Sequence, residues 1–238
     1  QKIERENGLK INYNERVEPL MNGTVMADGV EIIPTYSHPS ETFWRQLKFH
    51  EFDIAEMSMS SYLIARSRGA DMIALPVFPS RRFFHAEQSY HADSGIEQPG
   101  DLNGKRIGVG EYQQTAALWT RGVLEHDFGV SQYKVHWYME RTEELSHGGA
   151  TGFTPPPGIS FHRIPPDESL ATMLVSQQID VAPIAGHLER AVNVIDRSTH
   201  IRGSAGDWSK VKPLFPDMIG EARRFFREHE FIPVNHTY

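Results

Sequence analysis

Three stretches of this sequence carry residue types whose spacing suits acid–base chemistry on an anion. Pro79-Ser80-Arg81-Arg82-Phe83-Phe84-His85 sets two guanidinium groups and an imidazole directly behind an apolar run, with two aromatic rings between them. A guanidinium is the natural fork for a planar carboxylate, and an imidazole exchanges protons near neutral pH. A solvated loop whose Arg side chains pair with surface acids would read the same way. Met57-Ser58-Met59-Ser60-Ser61-Tyr62 offers hydroxyls and backbone N–H groups at the end of a short apolar run, with plain helix capping as the competing account. Glu111-Tyr112-Gln113-Gln114-Thr115 stands just ahead of a helical period, where free N–H groups attract anions; an N-cap alone would also account for it. Asn235-His236-Thr237 adds another imidazole, which chemistry alone does not interpret.

Other chemistries are excluded or weakly supported. The chain has no cysteine, so disulfides, a thiolate nucleophile and Cys-based zinc or iron–sulfur sites are out. No G-x-x-x-x-G-K-[ST], H-E-x-x-H or G-x-S-x-G occurs. Gly108-Val109-Gly110 opens a dinucleotide pattern, but Gln113 stands where the third glycine is needed. His85-Ala86-Glu87 has the H-x-E form of zinc deaminases without their obligatory cysteines. The chain has twelve histidines, yet none pairs with a carboxylate at a convincing ligand spacing, and His50, His126, His147, His200 and His229 read as solvated or packed. The expectation is no cofactor and no metal.

Composition describes a folded globular protein. Of 238 residues 39% are hydrophobic and 23% charged, and 24 basic residues against 31 acidic ones give a net charge of −7. With no basic run, nucleic acid is not an expected partner. The longest uncharged stretch, Leu145 to His162, is rich in Gly and Pro and reads as a loop, so no membrane helix is expected. Gln1 to Gly8 contains no apolar signal-peptide core.

Short apolar runs alternate with helical periods, which predicts α/β units. Strands are expected at Leu9–Tyr13, Val30–Thr35, Ile54–Met57, Met72–Val77 (a buried one), Arg106–Val109, Val135–Met139, Ile159–Ile164, Val181–Ile184 and Phe231–Val234. Helices are expected from Ser40 (burying Phe43, Trp44 and Leu47), over Ser61–Arg68, over Thr115–Phe128 (burying Ala116, Trp119, Val123 and Phe128), after Asp167 (burying Leu170, Met173 and Leu174) and over Asp217–His229. A Gly/Pro-rich shift across Asp93–Lys105 divides the chain into a first lobe over 1–95, a second over 96–228, and a return to the first over 229–238. Since Tyr238 falls inside an expected strand, the domain is expected to continue past it. Two such lobes imply a hinged cleft in which Tyr13–Arg16, Met57–Tyr62 and Gly110–Thr115 converge at strand ends.

The runs Glu41-Thr42-Phe43-Trp44-Arg45, Phe52 to Tyr62, Pro76 to Arg81 with Phe83 and His85, Gly110 to Ala116, and Phe231 to Thr237 together resemble the 4,5-dihydroxyphthalate decarboxylase family. The resemblance extends over nearly the whole chain from Tyr13. It implies a two-lobe fold like that of type II periplasmic binding proteins, in a chain longer than this one. The implied reaction is non-oxidative loss of CO2 from 4,5-dihydroxyphthalate to give protocatechuate, in bacterial aromatic catabolism. Two departures stand out: Glu18 precedes Pro19, leaving Arg16 as the lone guanidinium there, and Phe84 precedes His85 where members tend to have Arg.

Under that resemblance Arg81 holds the retained carboxylate, with Arg16 assisting, and the helix start at Thr115 holds another anionic oxygen. Ser60, Ser61, Tyr112 and Trp119 join the substrate-binding set, with Phe83 in the apolar wall. His85 and His236 form the proton-transfer pair, and Glu111 orients one of them or acts as base. No cofactor is implied, because the hydroxylated ring is its own electron sink. The rival function is a binding protein for an aromatic or heteroaromatic acid, and a further one a metal-dependent lyase or hydrolase. The enzyme is expected in the cytoplasm and the binding protein in the periplasm, with no membrane or nucleic-acid partner; a homo-oligomer is left open.

Overall fold

In a computed structural model of the chain, residues 18–26, 28–29, 33, 35, 37, 39–184 and 207–238 are described. The expected strand at Leu9–Tyr13, the junction Tyr13–Arg16 with Arg16 itself, and most of Val30–Thr35 lie outside them. Seven helices are described, α1 (Glu18–Met21), α2 (Pro39–Phe49), α3 (Met59–Ser67), α4 (Thr115–Phe128), α5 (His147–Thr151), α6 (Leu170–Val175) and α7 (Met218–His229). Among the described residues no helix is long and apolar enough to cross a membrane.

The strands form two sheets. Three short ones, β1 (Met57–Ser58), β2 (Ser80–Arg81) and β9 (Val234–Thr237), make a small sheet with β9 in the middle, antiparallel to both neighbours. Its register puts His236 opposite Ser58 on one side and Ser80 on the other. Six more, β3 (Ser89–His91), β4 (Arg106–Val109), β5 (His136–Met139), β6 (Ser160–Arg163), β7 (Val181–Ala182) and β8 (Val211–Pro213), form a mixed sheet in the order β6-β5-β4-β7-β3-β8. Strands β6, β5, β4 and β7 are parallel, while β3 is antiparallel to β7 and β8. The chain joins the large sheet at Ser89–His91, which pairs with β7 and β8.

The β4–α4–β5 unit shows how the sequence writes this core. Ile107, Val109, Trp137 and Met139 are buried, and together with Tyr112, Leu124 and Val135 they form the main apolar cluster. Gly108 is a packing glycine: a Cβ there would sit 2.7 Å from Leu170 Cδ2 and 2.9 Å from Ile179 Cδ1, so β4 and α6 approach only because that atom is missing. Helix α6 buries Leu170, Met173 and Leu174, as its period predicts. Helix α4 turns a different face inward from the expected one, with Ala117, Thr120, Arg121 and Leu124 buried beside Val123, and Ala116, Trp119 and Phe128 only partly covered. Likewise α2 buries Phe43 and Leu47 but leaves Trp44 half-covered.

One expectation fails outright. The run Met72–Val77 is not a buried strand: Ile73 is 82% exposed and Val77 50%. It lies alongside the end of the chain, where the Leu75 N–H donates to Tyr238 O at 2.6 Å and the Tyr238 N–H to Val77 O at 3.2 Å. An apolar run reads as buried from sequence because nothing in it says whether a second layer covers it.

Candidate functional site

The two sheets meet where β1 runs into α3 and where the loop after β4 runs into α4. Ser58 is the N-cap of α3 and Gln114 that of α4, and neither helix start has a side-chain cap of its own. Instead they hold each other. The Thr115 hydroxyl oxygen accepts from the Ser60 N–H at 2.9 Å and lies 2.8 Å from Ser58 Oγ, while Ser60 Oγ donates to the Gln113 carbonyl at 2.5 Å. Two positive helix ends therefore face one another across a seam lined by small hydroxyls. Two polar atoms of the same segments are buried without a hydrogen-bond partner: Ser61 Oγ, on a residue with no exposure, and Gln113 Nε2, whose amide packs beside Gly148. Buried polar atoms are normally satisfied, so these two donors have hydrogen-bonding capacity left over.

Behind the seam lies a buried ionic cluster. Glu111 has no exposed surface; it accepts from Arg141 Nη1 at 2.5 Å, from Ser146 Oγ at 2.5 Å and from the Gly148 N–H at 2.8 Å, with His147 Nδ1 3.5 Å away. Burial pushes the Glu111 carboxyl up, but the Arg141 guanidinium, the His147 ring, the Gly148 N–H and the Ser146 hydroxyl together hold it below the usual carboxylate range. A carboxylate so fully engaged is an anchor for the loop that carries Gln113 and Thr115. Its geometry argues against the expected role as base.

His236 completes the seam from the small sheet. Its Nδ1 is 2.6 Å from Glu56 Oε1, and its ring meets Phe43 edge-on at 4.9 Å. Phe43 in turn packs against His147 at 5.7 Å, so one buried ring separates this imidazole from the ionic cluster. A carboxylate on Nδ1 fixes the tautomer that leaves Nε2 for proton exchange, the arrangement a general acid–base histidine requires.

The structure thus joins Ser60 to Thr115 directly, with Ser61 next in α3, Glu111 in the loop ahead of Thr115 and His236 in register opposite Ser58. It does not bring the rest of the expected set there. His85 has no exposed surface; its Nε2 is 2.8 Å from Glu221 Oε1, and its ring is enclosed by Phe83, Phe215 and Phe225. Tyr112 is buried in the main core, its hydroxyl donating to Gln132 Oε1 at 2.8 Å and its ring packed by Trp137, Phe153, Phe161 and the Arg121 guanidinium. Trp119 is a cross-tie, its indole N–H donating to the Val234 carbonyl at 2.9 Å and its ring against Phe231. Arg81 is exposed, with Nη2 donating to the Ile232 carbonyl at 3.3 Å, and it faces a separate groove with Arg82 and Phe83. Arg16 lies outside the described residues.

Sequence reasoning named Ser58 only within its hydroxyl-bearing run, and it missed Glu56, Arg141, Ser146 and His147 as site residues. Arg141 carried a readable signal: it is the second residue past β5, whose neighbour β4 ends at Val109, and ligand sites gather at the carboxyl ends of adjacent parallel strands. As for metals, Asp127, Glu228 and His229 lie close enough to share an ion. Arg224 already occupies that position among the described residues, donating to Asp127 Oδ2 at 2.7 Å and Glu228 Oε2 at 2.5 Å.

Helix starts, hydroxyls and a carboxylate-bonded imidazole are groups whose chemistry suits an organic anion and a proton transfer. Comparison with known proteins places the chain further. No family model matches the chain. It is 38% identical over 202 residues to the 4,5-dihydroxyphthalate decarboxylase of Pseudomonas putida, covering 81% of this chain and 77% of that protein. It is 34% identical over 229 residues to the 4,5-dihydroxyphthalate decarboxylase of Comamonas testosteroni, covering 95% of this chain. The chain belongs to the 4,5-dihydroxyphthalate decarboxylase family; it spans 64% of the length of the Comamonas relative. Among solved structures it is similar to the alkanesulfonate-binding protein SsuA of Xanthomonas axonopodis (TM-score 0.41, 18% identity, 63% of this chain and 43% of that one). It is similar also to the aliphatic sulphonate binding protein SsuA of Escherichia coli (TM-score 0.43, 15% identity, 75% of this chain and 48% of that one).

Proposed function

We propose that this protein removes CO2 without oxidation from a hydroxylated aromatic dicarboxylate, most simply 4,5-dihydroxyphthalate, to give protocatechuate. The observation that carries this reading is the seam itself: two facing helix starts joined through Thr115, with the Glu56-oriented imidazole of His236 in register beside Ser58. The family supplies the substrate; the seam supplies what the reaction needs.

In the proposed reaction the carboxylate that stays on the ring sits against the starts of α3 and α4, with Ser61 Oγ and Gln113 Nε2 donating to it. The phenol para to the departing carboxylate pushes electron density into the ring. His236 delivers a proton to the carbon bearing that carboxylate, the carbon–carbon bond breaks, and CO2 leaves with restoration of aromaticity. Glu56 steadies the imidazolium before transfer. Glu111, Arg141 and His147 act at one remove, by fixing the loop that positions Gln113 and Thr115. No step requires a group beyond the substrate and these side chains. This reading carries a cytoplasmic location with it, and the absence of cysteine is compatible with that compartment.

The test is a product assay: purified protein with 4,5-dihydroxyphthalate, followed by chromatography for protocatechuate and by CO2 release. Wild type should turn over, and His236→Asn should lose roughly 10²–10⁴-fold in kcat at unchanged melting temperature, the usual cost of a general acid–base group. An unimpaired His236→Asn variant would remove the assigned proton donor. Thermal stabilisation by the substrate without any turnover would instead make the protein a carboxylate-binding module.

A further inference from the structure

A second concave site lies away from the seam, between the turn Arg81–Glu87 and α7, with a volume of about 650 Å3. That is within the range of small-molecule sites. Its floor is apolar: Phe83 and Ala86 on one side, Ile219, Ala222 and Phe226 on the other. The α7 side chains that line it fall at successive turns from Met218 to Arg227, a stripe about 14 Å long at 1.5 Å rise per residue. Such a run of exposed apolar side chains, with Ile219 at 66% and Phe226 at 49%, costs solubility and calls for an occupant.

The groove is also polarised. Four guanidinium groups line it, those of Arg81, Arg82, Arg223 and Arg227, against one carboxylate, Glu87. Glu87 is taken by Arg82, which donates to it from both Nε and Nη2. Among the described residues Arg81, Arg223 and Arg227 have no carboxylate partner, in a chain whose net charge is −7. Arg227 lies in the last turn of α7, and Arg81 is bonded to the carbonyl of Ile232 just beyond it. Arg227 and Arg81 therefore mark one end of the stripe, Arg223 lies near its middle, and Met218 and Ile219 mark the apolar other end.

We propose that this groove binds an amphiphilic carboxylate with an extended apolar tail, of the size of a medium-chain fatty acid. The carboxylate is forked by Arg227 and Arg81, and a tail of about ten carbons lies along α7 towards Ile219. A planar carboxylate suits bidentate guanidinium recognition, and the length of the stripe sets the length of the tail. The site is independent of the decarboxylation reading, since it shares none of the seam residues.

Decanoate is the probe, titrated into the whole chain by calorimetry, with decyltrimethylammonium as the same tail bearing the opposite charge. Wild type should bind decanoate with a dissociation constant in the micromolar to sub-millimolar range and the cationic amphiphile at least tenfold more weakly. Arg227→Glu, a surface change, should weaken decanoate at least tenfold, and Ala222→Trp should fill the groove and abolish binding. His236→Asn should leave the titration unchanged, which separates this site from the seam. Absence of decanoate binding, equal binding of both amphiphiles, or an affinity untouched by Arg227→Glu would overturn the proposal.

Discussion

Among the described residues the two sheets differ in how much apolar surface is buried against them. Around the large one, Leu102, Ile107, Val135, Trp137, Leu170, Leu174 and Ile179 have almost no exposed surface, and two apolar clusters cover its faces. Around the small one the buried cluster is Phe43, Leu47, Met57 and Ala65, while Ile54, Ile73, Leu75, Val77 and Phe78 stand in solvent. The seam takes one wall from each. Its anchor, Glu111 with Arg141, belongs to the well-packed half, and its imidazole, His236, to the thinly packed half. Among the described residues the Glu111 anchor is thus backed by the larger buried clusters, and His236 by the smaller one.

The sharpest way to break this contrast is to damage each core in turn. Trp137→Ala removes a ring packed on Tyr112 and Arg121 and should cost about 3–5 kcal/mol, enough to unfold much of the protein in a urea titration. Met57→Ala in the small sheet should cost less, about 2–3 kcal/mol, and show first in hydrogen exchange of β1 and β9. Equal losses from the two would erase the distinction. Gly108→Ala comes next: its new Cβ overlaps Leu170 and Ile179, and the expected cost is about 1–3 kcal/mol of overpacking, read from the urea midpoint.

Acid should sharpen the contrast further. Burial pushes Asp127 and Glu221 up, but bonds from Arg224, with His229 on the first and His85 on the second, hold both below the ordinary carboxylate range. Carboxyls with lowered folded values contribute stability that is complete above their unfolded values, about 4, and is lost as pH falls through the folded ones. The urea midpoint should therefore drop below about pH 4. Arg224→Met should make that drop shallower, because Arg224 bonds both carboxylates across α4 and α7. An unaltered acid limb in the variant would show that this network does not tie α7 to α4.

Much of the large half was legible in the sequence, because β4, α4 and β5 alternate apolar run and helical period without interruption. The meeting of Met57–Tyr62 with Gly110–Thr115 was legible too, since both are strand ends that run into helices. The α4 face was misjudged because Ala116 and Ala117 are adjacent apolar positions about 100° apart on the helix, and only tertiary packing chooses between them. His85 looked like chemistry because its partner, Glu221, lies 136 residues away and no local pattern announces it. His147 looked inert for the same reason, its Glu111 partner being brought near by the fold. Long-range ion pairs decide which polar residues are structural, and they are the contacts that periodicity does not encode.

The smallest stability effect tests the seam most directly. Thr115→Val keeps the shape of the side chain but removes the oxygen that serves both Ser58 and Ser60, and buried neutral hydrogen bonds of this kind contribute about 1 kcal/mol. Both sheets should survive, and global unfolding should shift only slightly. Activity should suffer far more than stability, because the two helix starts lose the bond that keeps them facing. If the seam holds the substrate carboxylate, KM should rise and Thr115→Ser should restore it. A variant that loses stability without any change in KM would make Thr115 a joint between the halves and nothing more. The comparison would then stand while the binding role moved elsewhere.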